Sequence, residues 1–306
     1  MMPSASKPDS SKPSLRVSKT MRRLLGAGAV AVALGGLVYG VHSAQAAVQP
    51  TETAIRRGAA RPDTDEQRIA DLVIANHIMA NEGVMDGLGH ISVRSVSNPN
   101  HYFMSRSRSA GSITRADIME FDLDSKPIDQ RGRDMYGERF IHGEVYKARP
   151  DVQAVLHSHT DAVVPFSITD VPFRAVMHMA AFIGIDPVPN FEIRDVEGDQ
   201  NRMLVSNSRS GAALAKALGD RNMVLMRGHG MTVIADKYPG GPARWIADRS
   251  YYVNVNAKIL SETLKLGRPI KGLNQYEADF RAGSLDRWWE DYSARAAASS
   301  HVAAAR

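Results

Sequence analysis

The chain predicts an α/β fold in which a largely antiparallel or mixed sheet is covered by helices. Three observations carry this prediction. Short β-branched or alternating runs at 90–94, 102–105, 119–123, 154–159 and 223–234 are joined by brief connections. Helical periods are interleaved with them at 69–79, 140–148 and 243–266. The order of the runs does not follow strict β-α-β alternation, and no internal repeat or low-complexity tract interrupts it. The 306 residues suffice for one sizeable core, and the lack of cysteine removes disulfides and cysteine metal sites from consideration.

Residues 1–46 differ in kind from the rest and read as a signal peptide. Ser/Pro/Lys-rich chain up to Thr20 leads to Arg22-Arg23 and an uncharged stretch from Leu24 to Val41, with Ala44-Gln45-Ala46 as the cleavage sequence before Ala47. The arginine pair resembles a twin-arginine export signal, although Leu24-Leu25-Gly26 matches its motif only in part, and the general secretory route stays open. Either route places the mature protein in the periplasm. The competing reading is an uncleaved anchor, against which stand five glycines in the stretch. The leader also explains the formal charge of +5. It holds Lys7, Lys12, Arg16, Lys19, Arg22 and Arg23 against Asp9, leaving 32 of the 38 basic residues against 32 of the 33 acidic ones. A neutral mature chain gives no reason to expect a nucleic-acid or membrane-surface partner.

Residues 47–63 show no apolar period and read as a linker. The domain, 64–306, begins at Thr64, which with Gln67 makes a capping-box pattern ahead of Ile69, Leu72, Val73 and Met79. A glycine-rich turn, Gly87-Leu88-Gly89, opens a strand containing His90 and Ser92. Tyr102 to Ser105 is the second strand, and the third alternates Met119, Phe121 and Leu123 with outward acids. Phe140, Ile141, Glu144, Val145 and Ala148 recur at helical spacing until Pro150 ends the helix, with Glu138 expected in its first turn and His142 one turn further on. A strand at 231–234 leads to a helix closed by Gly267. A last helix over 285–298 carries Trp288, Trp289 and Tyr292, an aromatic face read as core rather than subunit contact.

The chemistry lies in two stretches. In the strand ending Ala154-Val155-Leu156-His157-Ser158-His159, residues two apart share a face, so His157 and His159 point into one space. The apolar run 222–226 leads to Arg227-Gly228-His229-Gly230, where the glycines let the backbone turn sharply beside an ion. Most single histidines are not ligands. Three histidines at these spacings with a nearby carboxylate form a zinc-like set with a position open for substrate.

These residues resemble the class II aldolase/adducin family. Its zinc aldolases carry an acid, a helix ending Arg-Pro-Asp, then Ala-Val-x-His-x-His, and later a His-Gly after an apolar strand. The matching features here are Glu138, Arg149-Pro150-Asp151, Ala154 to His159 and His229-Gly230, with His157 nineteen positions after Glu138. The resemblance runs from about 65 to 267. It implies a three-layer α/β/α fold with a central, mostly antiparallel sheet, a homotetramer with sites near subunit interfaces, and a small-molecule substrate. It also implies Zn2+ or another divalent transition metal on His157, His159 and His229, with Glu138 as acid/base beside it. His178 falls where the aldolases place a tyrosine that donates a proton from a neighbouring subunit, and a packed histidine is the alternative reading.

The implied activity is that of a carbon–carbon lyase. A polarised substrate carbonyl lets the adjacent bond break through a metal-stabilised enolate, with an aldehyde or carbon dioxide as the leaving fragment. Tyr136-Gly137 replaces the aldolases' Ser-Ser pair, and His90 replaces the asparagine of their phosphate-binding Gly-Asn-x-Ser turn. Both departures point to a non-phosphorylated hydroxy- or oxo-compound. With His90 and Ser92, the arginines at 106, 108, 139 and 227 are the expected substrate-binding residues, because guanidinium groups match a carboxylate; structural arginines are the alternative. The Gly-His-Ile-Ser turn, the Arg-Ser-Arg run and Glu-Arg-Phe-Ile-His look most like family members that decarboxylate carboxymuconic semialdehydes and dihydroxyphthalates. Sugar-phosphate aldol cleavage or epimerisation, and a non-catalytic adducin-like binding role, are the alternatives.

Overall fold

The structure, a computed structural model, describes residues 63–236, 241–279 and 285–304. The expected leader, and the linker up to residue 62, lie outside the described residues. Helix α1 (Asp65–Asn81) starts where the capping pattern places it, with the Thr64 hydroxyl accepting the Gln67 amide at 3.2 Å. Only half of the capping box forms. The Gln67 side chain donates forward to Asp71 at 3.0 Å instead of turning back to the cap.

Among the described residues seven strands make one sheet: β1 (His90–Arg94), β2 (His101–Ser105), β3 (Ile118–Asp122), β4 (Ala154–Ser158), β5 (Asn190–Phe191), β6 (Met223–Met226) and β7 (Gly230–Ala235). Their spatial order is β3-β2-β1-β4-β7-β6-β5. Every neighbouring pair is antiparallel except β5 and β6. The period of two sorts side chains onto two cores. Ile91, Val93, Leu156 and Val233 join Leu72 and Ile78 of α1 and Ile246 of α6 (Pro242–Lys265). Val155, Val224 and Ile234 join Ile141 and Val145 of α2 (Phe140–Ala148) and Leu214 of α5 (Ser208–Leu218). Helices on both faces complete the three layers that the resemblance implies.

Full cover explains why β1 is buried along its whole length rather than half wet. His90, Ser92 and Arg94 face the α2 layer, where each finds a polar partner. Burial of a polar group is tolerated only on that condition.

Two details before and after α2 matter for the site. The turn Gly137–Arg139 is a 3-10 turn and Glu138 has non-helical backbone angles, φ −89° and ψ 15°, so this residue lies before the α-helix and not in its first turn. Helix α5, not anticipated from the sequence, crosses α2 closely. A Cβ on Gly211 would lie 2.7 Å from the Phe140 carbonyl oxygen.

The remaining helices are α3 (Val164–Ser167), α4 (Arg194–Glu197), α7 (Gln275–Asp279) and α8 (Asp286–Ala304), the last longer than expected. Trp289 is buried beneath the Arg244 guanidinium, and Trp288 stacks on Tyr292 with centroids 4.4 Å apart, in keeping with the reading of that face as core.

Candidate metal centre

Four side chains from three stretches of the chain converge at one end of the sheet. His157 is in β4, paired in register with His90, on the face covered by α2. His159 lies two residues further along, and His229 occupies the tight turn between β6 and β7. That turn needs its glycines: Gly228 has φ +63°, and a Cβ on Gly230 would overlap the Ser158 carbonyl oxygen. Glu138 enters from the 3-10 turn, its Oε1 accepting the Val205 amide at 2.9 Å.

The Nε2 of His159 lies 3.1 Å from that of His157 and 3.0 Å from that of His229, and Glu138 Oε2 is 3.5 Å from Nε2 of both His157 and His229. One ligand atom from each residue falls within 4.8 Å of the others. His157 Nδ1 faces the Met231 carbonyl at 3.0 Å, and His159 Nδ1 faces the Asp86 carboxylate at 3.2 and 3.3 Å. Acceptors on Nδ1 place the proton there and leave the Nε2 lone pairs pointing at one another. Lone pairs do not converge at 3.0–3.1 Å without a cation or proton between them. A tetrahedral ion at about 2.0–2.1 Å from each ligand would separate them by about 3.3 Å, close to the spacing here. The residues therefore fit a divalent ion.

Charge agrees with this fit. Burial works against the Glu138 carboxylate, but His157 and His229 outweigh it and hold its pKa well below the usual range. Glu138 is thus ionised, opposite to the upward shift that a proton-donating role would need. Burial also lowers the His159 pKa, keeping the imidazole in its ligating, neutral form.

The other expected site residues are placed differently. Arg106 and Arg108 both bind Asp117, with Arg106 Nε 2.6 Å from Oδ1. Arg227 makes a two-point pair with Glu192 at 2.7 and 3.0 Å, and Arg139 donates to the carbonyls of Ser125 and Tyr136. All four are engaged within the chain. His178 is exposed at the start of a 3-10 helix, so it is not a packed histidine in this chain.

His90 and Ser92 are buried in a polar chain that sequence reasoning did not assemble. His90 Nδ1 is 2.7 Å from His142 Nε2, His142 Nδ1 is 2.6 Å from Ser92 Oγ, and Ser92 Oγ is 2.8 Å from Tyr146 Oη. Burial lowers the His142 pKa to about 3 and pushes that of His90 well down, so both rings are neutral. The spacing held part of this signal: His90 and Ser92 are two apart on a strand, and His142 and Tyr146 four apart on a helix, two faces meeting in register. Asp86 was also missed, because an acid before Gly87 reads as an ordinary turn residue.

A family model described as the Class II Aldolase and Adducin N-terminal domain matches residues 70–239. The chain is 37% identical over 202 residues to Decarboxylase tropJ of Talaromyces stipitatus, covering 62% of this chain and 74% of that protein. It is 31% identical over 173 residues to a 3,4-dihydroxyphthalate decarboxylase of Arthrobacter keyseri, covering 54% and 67% respectively. Among solved structures, an aldolase II superfamily protein from Pseudomonas syringae superposes with a TM-score of 0.62 at 20% identity, over 78% of this chain and 95% of that one. L-fuculose 1-phosphate aldolase from Glaciozyma antarctica gives 0.57 at 21%, over 77% and 89%. At such identities the structural likeness speaks for the fold, whereas the family match and the sequence relatives speak for chemistry. The chain belongs to the class II aldolase and adducin family and is a carbon–carbon lyase.

Proposed function

We propose that this lyase is a divalent-metal-dependent decarboxylase of a non-phosphorylated hydroxy- or oxo-carboxylic acid, zinc being the first candidate ion. One observation carries the reading: three imidazole Nε2 atoms and Oε2 of Glu138 converge on one point. A bound ion would supply Lewis-acid polarisation of a substrate oxygen beside the bond that breaks.

The chain's own residues supply the rest. His157 and His159 are oriented through Nδ1 and present Nε2. Glu138 is fixed at Oε1 by the Val205 amide, which leaves its ionised Oε2 beside His157 and His229 to accept the proton of a substrate hydroxyl. The absence of phosphate in the substrate is favoured by Tyr136 and His90. Their rings are buried with centroids 4.6 Å apart, His90 at the asparagine position of the aldolases' phosphate-binding turn and Tyr136 in place of a serine of their Ser-Ser pair. Decarboxylation is favoured over aldol cleavage by the relatives named for it.

The test is release of carbon dioxide from hydroxylated aromatic acids, 3,4-dihydroxyphthalate first, with fuculose 1-phosphate as the contrasting substrate. We expect release that a chelator abolishes and zinc or manganese restores, and that His157→Ala removes together with the metal. Full metal content in His157→Ala, or cleavage of the sugar phosphate alone, would overturn the proposal.

A further inference from the structure

We propose that Asp86 is a positioning residue for the metal centre: its carboxylate, on the Nδ1 side of His159, aims that ring at the ion and strengthens the chain's hold on it. The inference rests on the metal reading above and deepens it.

Both carboxylate oxygens lie within 3.3 Å of His159 Nδ1, so the ring has one defined partner on its remote side. The carboxylate is itself fixed, because Oδ1 also accepts the backbone amides of Leu88 and Gly89 at 2.9 Å each. The turn bearing these amides is wedged against a second ligand residue: a Cβ on Gly89 would approach the His157 carbonyl oxygen to 3.2 Å. One short turn thus contacts the residues of two ligand histidines. A carboxylate on the remote nitrogen fixes the tautomer and makes Nε2 a stronger donor, and loss of such a partner usually weakens metal affinity by about 10- to 100-fold.

The three ligand histidines are held unequally. His157 donates to a neutral carbonyl, His159 to an acid, and among the described residues no hydrogen bond to His229 Nδ1 is present. Among the described residues Asp86 is therefore the one carboxylate hydrogen-bonded to Nδ1 of a ligand histidine, adding a second negative charge to that of Glu138. Its side chain is 51% exposed, so it contributes little to the core, and its removal leaves the apolar packing of the fold intact.

Asp86→Asn separates this role from a structural one. An asparagine has one side-chain oxygen, which can keep accepting the Leu88 and Gly89 amides and hold the turn, but the side chain then offers His159 an amide group in place of a carboxylate. Full-length protein, Asp86→Asn and Asp86→Ala are stripped with chelator and titrated with zinc against a chromophoric competitor. Cobalt is added separately to read the visible absorption of the site. We expect zinc affinity about 10- to 100-fold weaker in both variants, an altered cobalt spectrum, and unchanged thermal unfolding of stripped Asp86→Asn. Wild-type affinity in both variants would overturn the role of Asp86 while leaving the metal reading intact. A wild-type chain that takes up neither zinc nor cobalt would overturn both.

Discussion

At the scale of single residues, burial and exposure decide chemistry that identity leaves open. His178 and His142 are both histidines near the motifs, yet one is exposed and the other is buried and doubly hydrogen-bonded. If a neighbouring subunit presents His178 to the site, His178→Ala should lower turnover by roughly 100-fold with metal content unchanged. Near wild-type turnover would leave it a surface residue. Asp248 of α6 is a separate case: it is 6% exposed, its Oδ1 has no hydrogen-bond partner, and burial, opposed by Arg249, lifts its pKa from 3.8 to about 7. A carboxyl whose folded pKa exceeds its unfolded one binds its proton better in the native state. Stability is therefore lost as pH rises from about 4 to about 7, and the full cost remains above that. Asp248→Asn should raise the melting temperature at pH 8 and leave it nearly unchanged at pH 4. An equal shift at both would show that ionisation is not the cause.

At the scale of elements, the site depends on close backbone approaches. The β6–β7 turn reaches Ser158 only because residue 230 lacks a side chain, and α5 reaches α2 only because residue 211 does. Gly230→Ala should force the turn bearing His229 away from β4, weakening zinc binding as measured against a competing chelator. Gly211→Ala is farther from the ligands. It should act mainly as overpacking, costing about 1–3 kcal/mol in denaturant unfolding. If the two variants lowered zinc affinity equally, the turn would have no special part in placing His229.

At the scale of the whole molecule, the ligands come from residues 138, 157, 159 and 229, so an ion there would tie the turn before α2 to β4 and to the β6–β7 turn. An ion that binds only the folded chain stabilises it by about 2.7 kcal/mol at one hundred times its dissociation constant. Chelator should therefore lower the melting temperature of the purified protein, and excess zinc should restore it. No change would argue against a resident ion. We propose export and a homotetramer for the mature protein. Periplasmic fractions should yield a chain beginning near Ala47, and sedimentation should give four times the mass of one chain. Recovery only of full-length protein from the cytosol, or a monomer, would reject the respective proposal.

Local pattern and spacing determined a good part of this protein. The two-residue period put His157, in β4, and His159, just past its end, on one side, the glycines flanking His229 announced a sharp turn, and Pro150 marked the end of α2. Each of these is a constraint between residues close in the chain, which sequence records directly. Contacts between distant residues needed the folded chain. The sequence showed arginines near the motifs with substrate binding and a structural role both open, and only the fold brought Asp117 to Arg106 and Glu192 to Arg227. The register of β1 against β4, and of β1 against the face of α2, brought Asp86 to His159 and buried His90 and Ser92 in a polar chain. The reason is physical: these partners, separated by 11 to 73 residues, are chosen by packing two layers of helix onto one sheet, and no local propensity encodes which distant side chain that packing will supply.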